Sequence, residues 1–407
     1  MFHPTRCLFL AGLALAVASR AFAQGDFVPP DIAKVPVQVG PLLMNPSLAL
    51  TNLGVDTNVF NQPAELAPKS DFTITITPRT DLWLRMGPTW LNGSVDEGIV
   101  WYQQYASERS LNDRYKLGWH VPLNRLTFDV GGNYLNTHER PGFEIDSRAH
   151  HTELGGAASA DVRWLSKTYF GVKGTVLRTN FDGAANFEGV NLRQELNRTD
   201  TTAAFVIRHE LTPLTSISAD IQREQQHFEF SPDRDASSTQ VSGRVTFDPA
   251  ALIKGSASIG YRDFQPVDRT LPAYQGSTAS ADLTYVLLGL TQFGVQATRD
   301  VQYSYEIDQP YYLLTGVTGS IAQKVFGPVD VVARGGLQRL DYRDRALAPV
   351  PLSARTDYVH SYGGGLGYHF AADLRIGFNI DHSDRTSGVA SRRYTGWRYG
   401  TSATYGF

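Results

Sequence analysis

The stretch Leu374-Arg375-Ile376-Gly377-Phe378-Asn379-Ile380-Asp381 alternates strictly between an apolar side chain and a charged, small or amide one. Successive side chains of an extended chain point to opposite sides, so this octapeptide predicts a strand with one face in an apolar medium and one in a polar medium. The same period of two recurs far from it. Tyr115, Leu117 and Trp119 alternate with Lys116, Gly118 and His120; Leu126, Phe128 and Val130 alternate with Thr127, Asp129 and Gly131. Val241, Gly243, Val245 and Phe247 alternate likewise with Ser242, Arg244, Thr246 and Asp248.

Counted along the chain, such segments number about eighteen: 46–60, 71–84, 89–103, 112–121, 125–136, 150–165, 168–180, 196–211, 214–226, 237–248, 253–265, 277–289, 292–305, 309–324, 328–341, 357–371, 373–384 and 394–407. Sixteen is the alternative count, because Asp96-Glu97 interrupt the third segment and require either a bulge or an edge of the membrane there. The connections alternate in length. Val121-Pro122-Leu123-Asn124, Leu165-Ser166-Lys167, Gly289-Leu290-Thr291 and Ala371-Ala372-Asp373 follow even-numbered segments, whereas the long polar stretches 137–149, 182–195, 228–238 and 343–356 follow odd-numbered ones. Short turns on one side and long loops on the other, with ~10-residue dyad strands, describe a transmembrane antiparallel up-and-down β-barrel. The fold class is therefore all-β.

Composition agrees. The 407 residues include 37 Gly, 19 Tyr and 21 Phe but only 3 Met and 1 Cys, a balance that leans towards strand over helix. A net charge of -3 singles out no nucleic-acid partner. At the start, Arg6, the twelve-residue apolar run Cys7 to Ala18 and the small-x-small Ala21-Phe22-Ala23 predict a secretory signal peptide over 1–23. Its removal takes Arg6 and Arg20 and no acid, leaving 35 basic against 40 acidic side chains and no cysteine. Residues 24–45, with Pro29, Pro30, Pro36 and Pro41, form a short periplasmic lead-in, and 46–407 the barrel. No remaining apolar stretch is long enough for a spanning helix, so membrane residence requires a closed barrel.

Two further stretches carry resemblances. Trp397, Tyr399, Tyr405 and the terminal Phe407 share one face of the last segment, which resembles the C-terminal assembly signal of bacterial outer-membrane barrels. Gly54-Val55-Asp56-Thr57-Asn58-Val59-Phe60, followed by Ser70-Asp71-Phe72-Thr73-Ile74-Thr75-Ile76-Thr77-Pro78-Arg79, resembles the opening hairpin of the putative β-barrel porin 2 family. The resemblance implies a wide outer-membrane barrel, in a family often linked to exopolysaccharide export. It implies outer-membrane lipid, the barrel-assembly machinery and periplasmic polysaccharide-export components as partners, and it brings no catalytic residues and no cofactor.

Chemical motifs are absent: no G-x-S-x-G, H-E-x-x-H or G-x-x-x-x-G-K-[ST] occurs, and His150-His151 cannot share one strand face. Gly363, Gly365 and Gly367 lie two apart on one face and predict room for large neighbours or a ligand. The dyad places Arg79, Asp81, Trp83, Arg85, Arg114, Lys116, Arg125, Asp129, Arg163, Lys173, Asp220, Arg244, Lys254, Asp282, Arg334, Arg375 and Asp381 on the pore-lining face. Basic residues outnumber acids in this set, and Trp83 is positioned to stack on a sugar ring. Three classes of function compete: an aqueous pore for exopolysaccharide or small polar solutes, a closed structural or adhesive barrel, and a hydrolase with Ser and His on the barrel wall. The metal and catalytic assignments are none.

Overall fold

The computed structural model describes residues 27, 29–346, 355–371 and 373–406. The expected signal peptide and Phe407 lie outside the described residues. Eighteen long strands follow in order: β1 Leu42–Asp56, β2 Asp71–Met86, β3 Thr89–Tyr102, β4 Ser110–Pro122, β5 Leu126–Thr137, β6 His151–Leu165, β7 Thr168–Phe181, β8 Arg198–Thr212 and β9 Thr215–Phe228. The second half comprises β10 Ala236–Phe247, β11 Ile253–Pro266, β12 Tyr274–Leu287, β13 Thr291–Tyr303, β14 Tyr311–Phe326, β15 Val329–Arg343, β16 Thr356–His369, β17 Leu374–Thr386 and β18 Tyr394–Tyr405. Each pairs antiparallel with its neighbours in sequence, and β1 pairs with β18, so the sheet closes on itself and no long edge is left. Among the described residues no helix is long and apolar enough to cross a membrane.

The expected segments correspond to these strands one for one. The largest displacement is at β1, which begins at Leu42 where the dyad count starts at 46. Pro41 and Pro46 obscure the pattern there, but a proline is tolerated in a strand where its nitrogen need not donate. Residue Asn52, with φ +54°, bulges β1, and the register to both neighbours shifts around it. Asp96-Glu97 cause no bulge: β3 keeps one register with β2 and with β4 throughout. Asp96 faces inward opposite Arg79 and Arg114, while Glu97 faces outward, where the Tyr115 hydroxyl donates to it. Of the two expectations for this pair, the bulge is therefore not met.

The outward face is the apolar one. Ile259 (69% exposed), Leu366 (60%), Leu117 (59%) and Val172 (57%) have no protein cover, an arrangement stable only against lipid. Aromatic side chains rim this band at both ends. Phe72, Trp101, Tyr362 and Trp397 lie towards the loops, and Trp164, Phe326, Tyr368 and Phe370 towards the turns. At the turn end, Gly87-Pro88 and Gly327-Pro328 close two-residue turns with glycine φ of +61° and +51°, a left-handed conformation that only glycine adopts without strain.

One interval of the wall departs from regularity. The ladder between β12 and β13 runs only from Leu287↔Thr291 to Ala279↔Arg299. Beyond it, Val301, Tyr311 and Leu313, on the outward faces of β13 and β14, pack on Phe264 and Tyr274, on the inward faces of β11 and β12. The tip of the β13–β14 hairpin is therefore tucked inside the barrel.

Candidate functional site

Register places the inward residues row by row. Arg79, Asp81, Trp83 and Arg85 share the inner face of β2. Lys116 lies among Arg79 and Arg114, with Asp81 and Asp96 as counter-charges, and Arg79 contacts Asp81 at 3.0 Å. Arg85 is separate from this cluster. It sits at the turn end, donates to the Gly87 carbonyl at 3.3 Å and lies 5.7 Å from the Trp90 ring. Asp129 holds His120 Nδ1 at 2.7 Å, Arg163 donates to the Asn124 carbonyl at 3.0 Å, and Asp220 accepts from Ser242 at 2.7 Å. Lys173 lies near Arg244, Asp220 and Asp161. Lys254 and Asp282 face inward on β11 and β12. Arg125 lies at the end of the 123–125 turn just ahead of β5, where its carbonyl accepts from the Arg163 N–H in continuation of the β5–β6 register.

The far wall is charge-neutralised. Arg334 grips Asp381 in a two-pronged pair (2.7 and 2.6 Å), and Arg375 grips Asp330 likewise (2.7 and 2.6 Å). Both pairs reach from β15 to β17 across β16, and the glycines of β16 are what lets them cross. A Cβ on Gly363 would lie 2.0 Å from Asp381 Oδ1, one on Gly365 2.4 Å from Asn379 Oδ1, and one on Gly367 2.2 Å from Arg375 Nη2. Of the two expectations for this stripe, room for neighbours is the one met. Gly363→Ala should therefore cost ~1–3 kcal/mol by overpacking, read as a lower urea midpoint for folding into vesicles. Gly174→Ala, whose Cβ meets nothing within 4 Å, should match the wild type.

Not all of the loops stand in solvent. Segment 138–150, joining β5 to β6, crosses the lumen and places Phe143, Glu144, Ile145 and Asp146 against opposite walls. Its centre is Glu144, 1% exposed, which accepts from the Ser304 hydroxyl at 2.6 Å and the Tyr305 N–H at 3.2 Å. Arg385 of β17, also buried, donates to the carbonyls of Phe143 and Glu144 (3.2 and 2.9 Å), to Asp146 (3.0 Å) and to Asp357 (2.6 Å). Arg392 reaches Asp146 at 2.9 Å and lies over the Phe187 ring at 4.4 Å.

Two other loops close over the tucked hairpin. Within 182–197, Asn186–Phe187 pairs with Val190–Asn191, and the turn Leu192–Leu196 adds Leu192 and Leu196 to a core with Ile145, Phe181 and Tyr305. Arg234 holds the hairpin tip through the carbonyls of Ser304 and Glu306 (2.8 and 2.9 Å). Arg345 then straps across it to Asp233 and Asp268. None of these residues was among the expected pore-lining set. The available signal was their apolar company: Phe143, Ile145, Phe187, Leu192, Leu196 and Tyr305 are too apolar for loops that bathe in water.

Burial pushes the Glu144 carboxyl above the ordinary carboxylate range, against the pull of Ser304, Arg392, Arg385 and the Tyr305 N–H. Burial raises Glu139 and Glu195 as well. A carboxyl whose pKa is higher docked than undocked binds its proton more tightly when docked. The docked loop is thus weakest above the raised pKa and gains stability as pH falls through it.

Among solved structures, the chain is similar to Pseudomonas aeruginosa OpdK with vanillate (TM-score 0.47, 10% identity, 89% of this chain and 98% of that one). It is similar to Pseudomonas aeruginosa OccK2 (OpdF) in complex with glucuronate (0.47, 10%, 89% and 97%) and to a BenF-like porin from Pseudomonas fluorescens (0.47, 11%, 90% and 98%). Among curated proteins none matches the chain. The sequence profile described as Putative beta-barrel porin 2 matches residues 29–405, nearly the whole described chain. With its closed wall of eighteen strands and lipid-facing band, the chain belongs to the putative β-barrel porin 2 family and resides in the bacterial outer membrane.

Proposed function

We propose that the chain is a passive, gated channel for small polar solutes, neutral or anionic, with the docked 138–150 loop as its closed gate. The observation that carries this reading is the pairing of a polar inner wall with a loop held across it by side chains rather than by continuous sheet. A lumen meant never to conduct would have no use for the Arg79, Arg114 and Lys116 group on its wall. Small solutes are favoured over exopolysaccharide because a polymer in transit would hold the cap undocked along its whole length, and the cap buries a complete ionic core.

Charges in a narrow wet passage act through a focused field, which salt weakens: the screening length is ~30 Å at 0.01 M and ~3 Å at 1 M. Arg79→Glu with Lys116→Glu should therefore shift ion selectivity towards cations at low salt and less at high salt, measured as reversal potential in planar bilayers. Absence of any wild-type current, at neutral and alkaline pH alike, would favour a closed structural barrel instead.

Acid should close the channel. Protonation of Glu144 stabilises the docked loop, so the open fraction should fall as pH is lowered through the raised Glu144 pKa. Glu144→Gln should remove most of that dependence and keep the channel largely closed. A pH profile unchanged by Glu144→Gln would place the gating elsewhere.

A further inference from the structure

The inner wall is polar along most of its height, yet at the periplasmic turn end it carries Leu43, Trp83 and Trp90. Leu43 is 3% exposed and Trp90 8%, so something covers them from inside the lumen. Part of that cover is the chain's own Phe27. Its ring centroid lies 4.8 Å from that of His120, with the planes inclined at 32°, and 6.0 Å from that of Trp90, inclined at 40°. The seat is built rather than incidental. Asp129 fixes the His120 ring through Nδ1 at 2.7 Å, and the Arg85 guanidinium stands beside Trp90, itself anchored on the Gly87 carbonyl.

The lead-in is tethered nearby. Asp31 caps the single turn Ile32–Lys34, and Val37–Val39 pairs antiparallel with Leu42–Met44, which fixes where the segment meets the rim. A short tether presents its end group at an effective concentration of millimolar order. Phe27 is thus a strong competitor for anything else that fits its seat.

The geometry points to a ring-binding site on the periplasmic lumen wall, formed by Trp90 and His120, that Phe27 fills in the resting barrel. The class of solute it takes is a planar ring carrying an acid. Tilted contact with two aromatic rings selects the ring, and Arg85, the cation at the rim of the seat, selects the acid. This deepens the channel reading and rests on it for the solute's transit. Binding itself does not require conduction.

The test uses the full chain folded in detergent, with phenylacetate as probe and acetate and cyclohexylacetate as controls, read by tryptophan fluorescence. Phe27→Ala should lower the phenylacetate midpoint at least tenfold relative to wild type, with no response to acetate and a weaker one to cyclohexylacetate. Trp90→Leu in the Phe27→Ala background, read by titration calorimetry because it removes the reporter ring, should abolish phenylacetate binding. If that variant does not show heat-modifiable migration, Arg85→Gln replaces it and should weaken phenylacetate but leave benzyl alcohol unchanged. Equal midpoints for wild type and Phe27→Ala, or a response indifferent to both second-site changes, would overturn the site. Potassium chloride currents on the same protein keep the two readings apart: current without phenylacetate binding overturns this site alone, and binding without current overturns the channel alone.

Discussion

Arg385→Ala is expected to open the barrel. Its guanidinium makes five hydrogen bonds of 2.6 to 3.3 Å, to Asp357, Asp146, the Phe143 and Glu144 carbonyls and the Tyr342 hydroxyl. Both members of the Arg385–Asp357 pair have fully buried side chains. Without Arg385, Asp357 keeps Arg355 and Ser387 and Asp146 keeps Arg392, but the loop loses the charged donor that ties its carbonyls and Asp146 to the wall, at about 1.5–3 kcal/mol for each such hydrogen bond. Loop 138–150 is thereby released and water enters. The expected results are a severalfold rise in single-channel conductance and rapid proteolysis within 138–150, with the β-sheet spectrum unchanged. Arg385→Lys should behave similarly, since an ammonium has three donors and cannot span the same partners. Wild-type conductance in Arg385→Ala would mean that the cap is not the barrier.

Phe378→Arg is expected to cost ~2–4 kcal/mol in folding into lipid vesicles, because the side chain lies between the two aromatic girdles and its charge must enter hydrocarbon. Phe378 is 46% exposed on the outer face of β17, opposite Leu366 and Thr401. The matched control is Ser256→Arg, which faces the lumen opposite Asp282 and gains a counter-charge there. Equal damage from both substitutions would reverse the assignment of inside and outside.

The outward facing of Phe378 was already legible in its octapeptide, and every one of the eighteen strands was legible from the same alternation. A period of two is a local property: each residue's neighbours in sequence declare which medium its face meets. Which face of each strand is polar was legible for the same reason, although alternation carries no mark of where a turn hands over to a strand, as at Arg125. The cap was legible only as loops too apolar for water, and its ionic partners were not legible at all. Glu144 meets Ser304, Arg385 and Arg392 from three other parts of the chain, and nothing near Glu144 in sequence names them. The glycines of β16 fall between these cases. Their spacing was plain, but that they are bridged by Arg334–Asp381 and Arg375–Asp330 depends on strands lying either side of them.

The interval where β13 leaves β12 bears on how the barrel fails. Nine residue pairs join those strands, against thirteen joining β13 to β14. Among the described residues only the closing β1–β18 seam is shorter, with seven pairs interrupted by the bulge at Asn52, and every other seam has ten or more, so these two are the natural lines of fracture. Under slow denaturation or pulling, the cylinder should split lengthwise at both seams, β12–β13 and β1–β18, and unroll as two sheets, one carrying β1–β12 and the other β13–β18. Amide protons of 279–287 should accordingly exchange ahead of those in β14 and β15, and the split should proceed from the extracellular rim towards the Leu287-to-Thr291 turn.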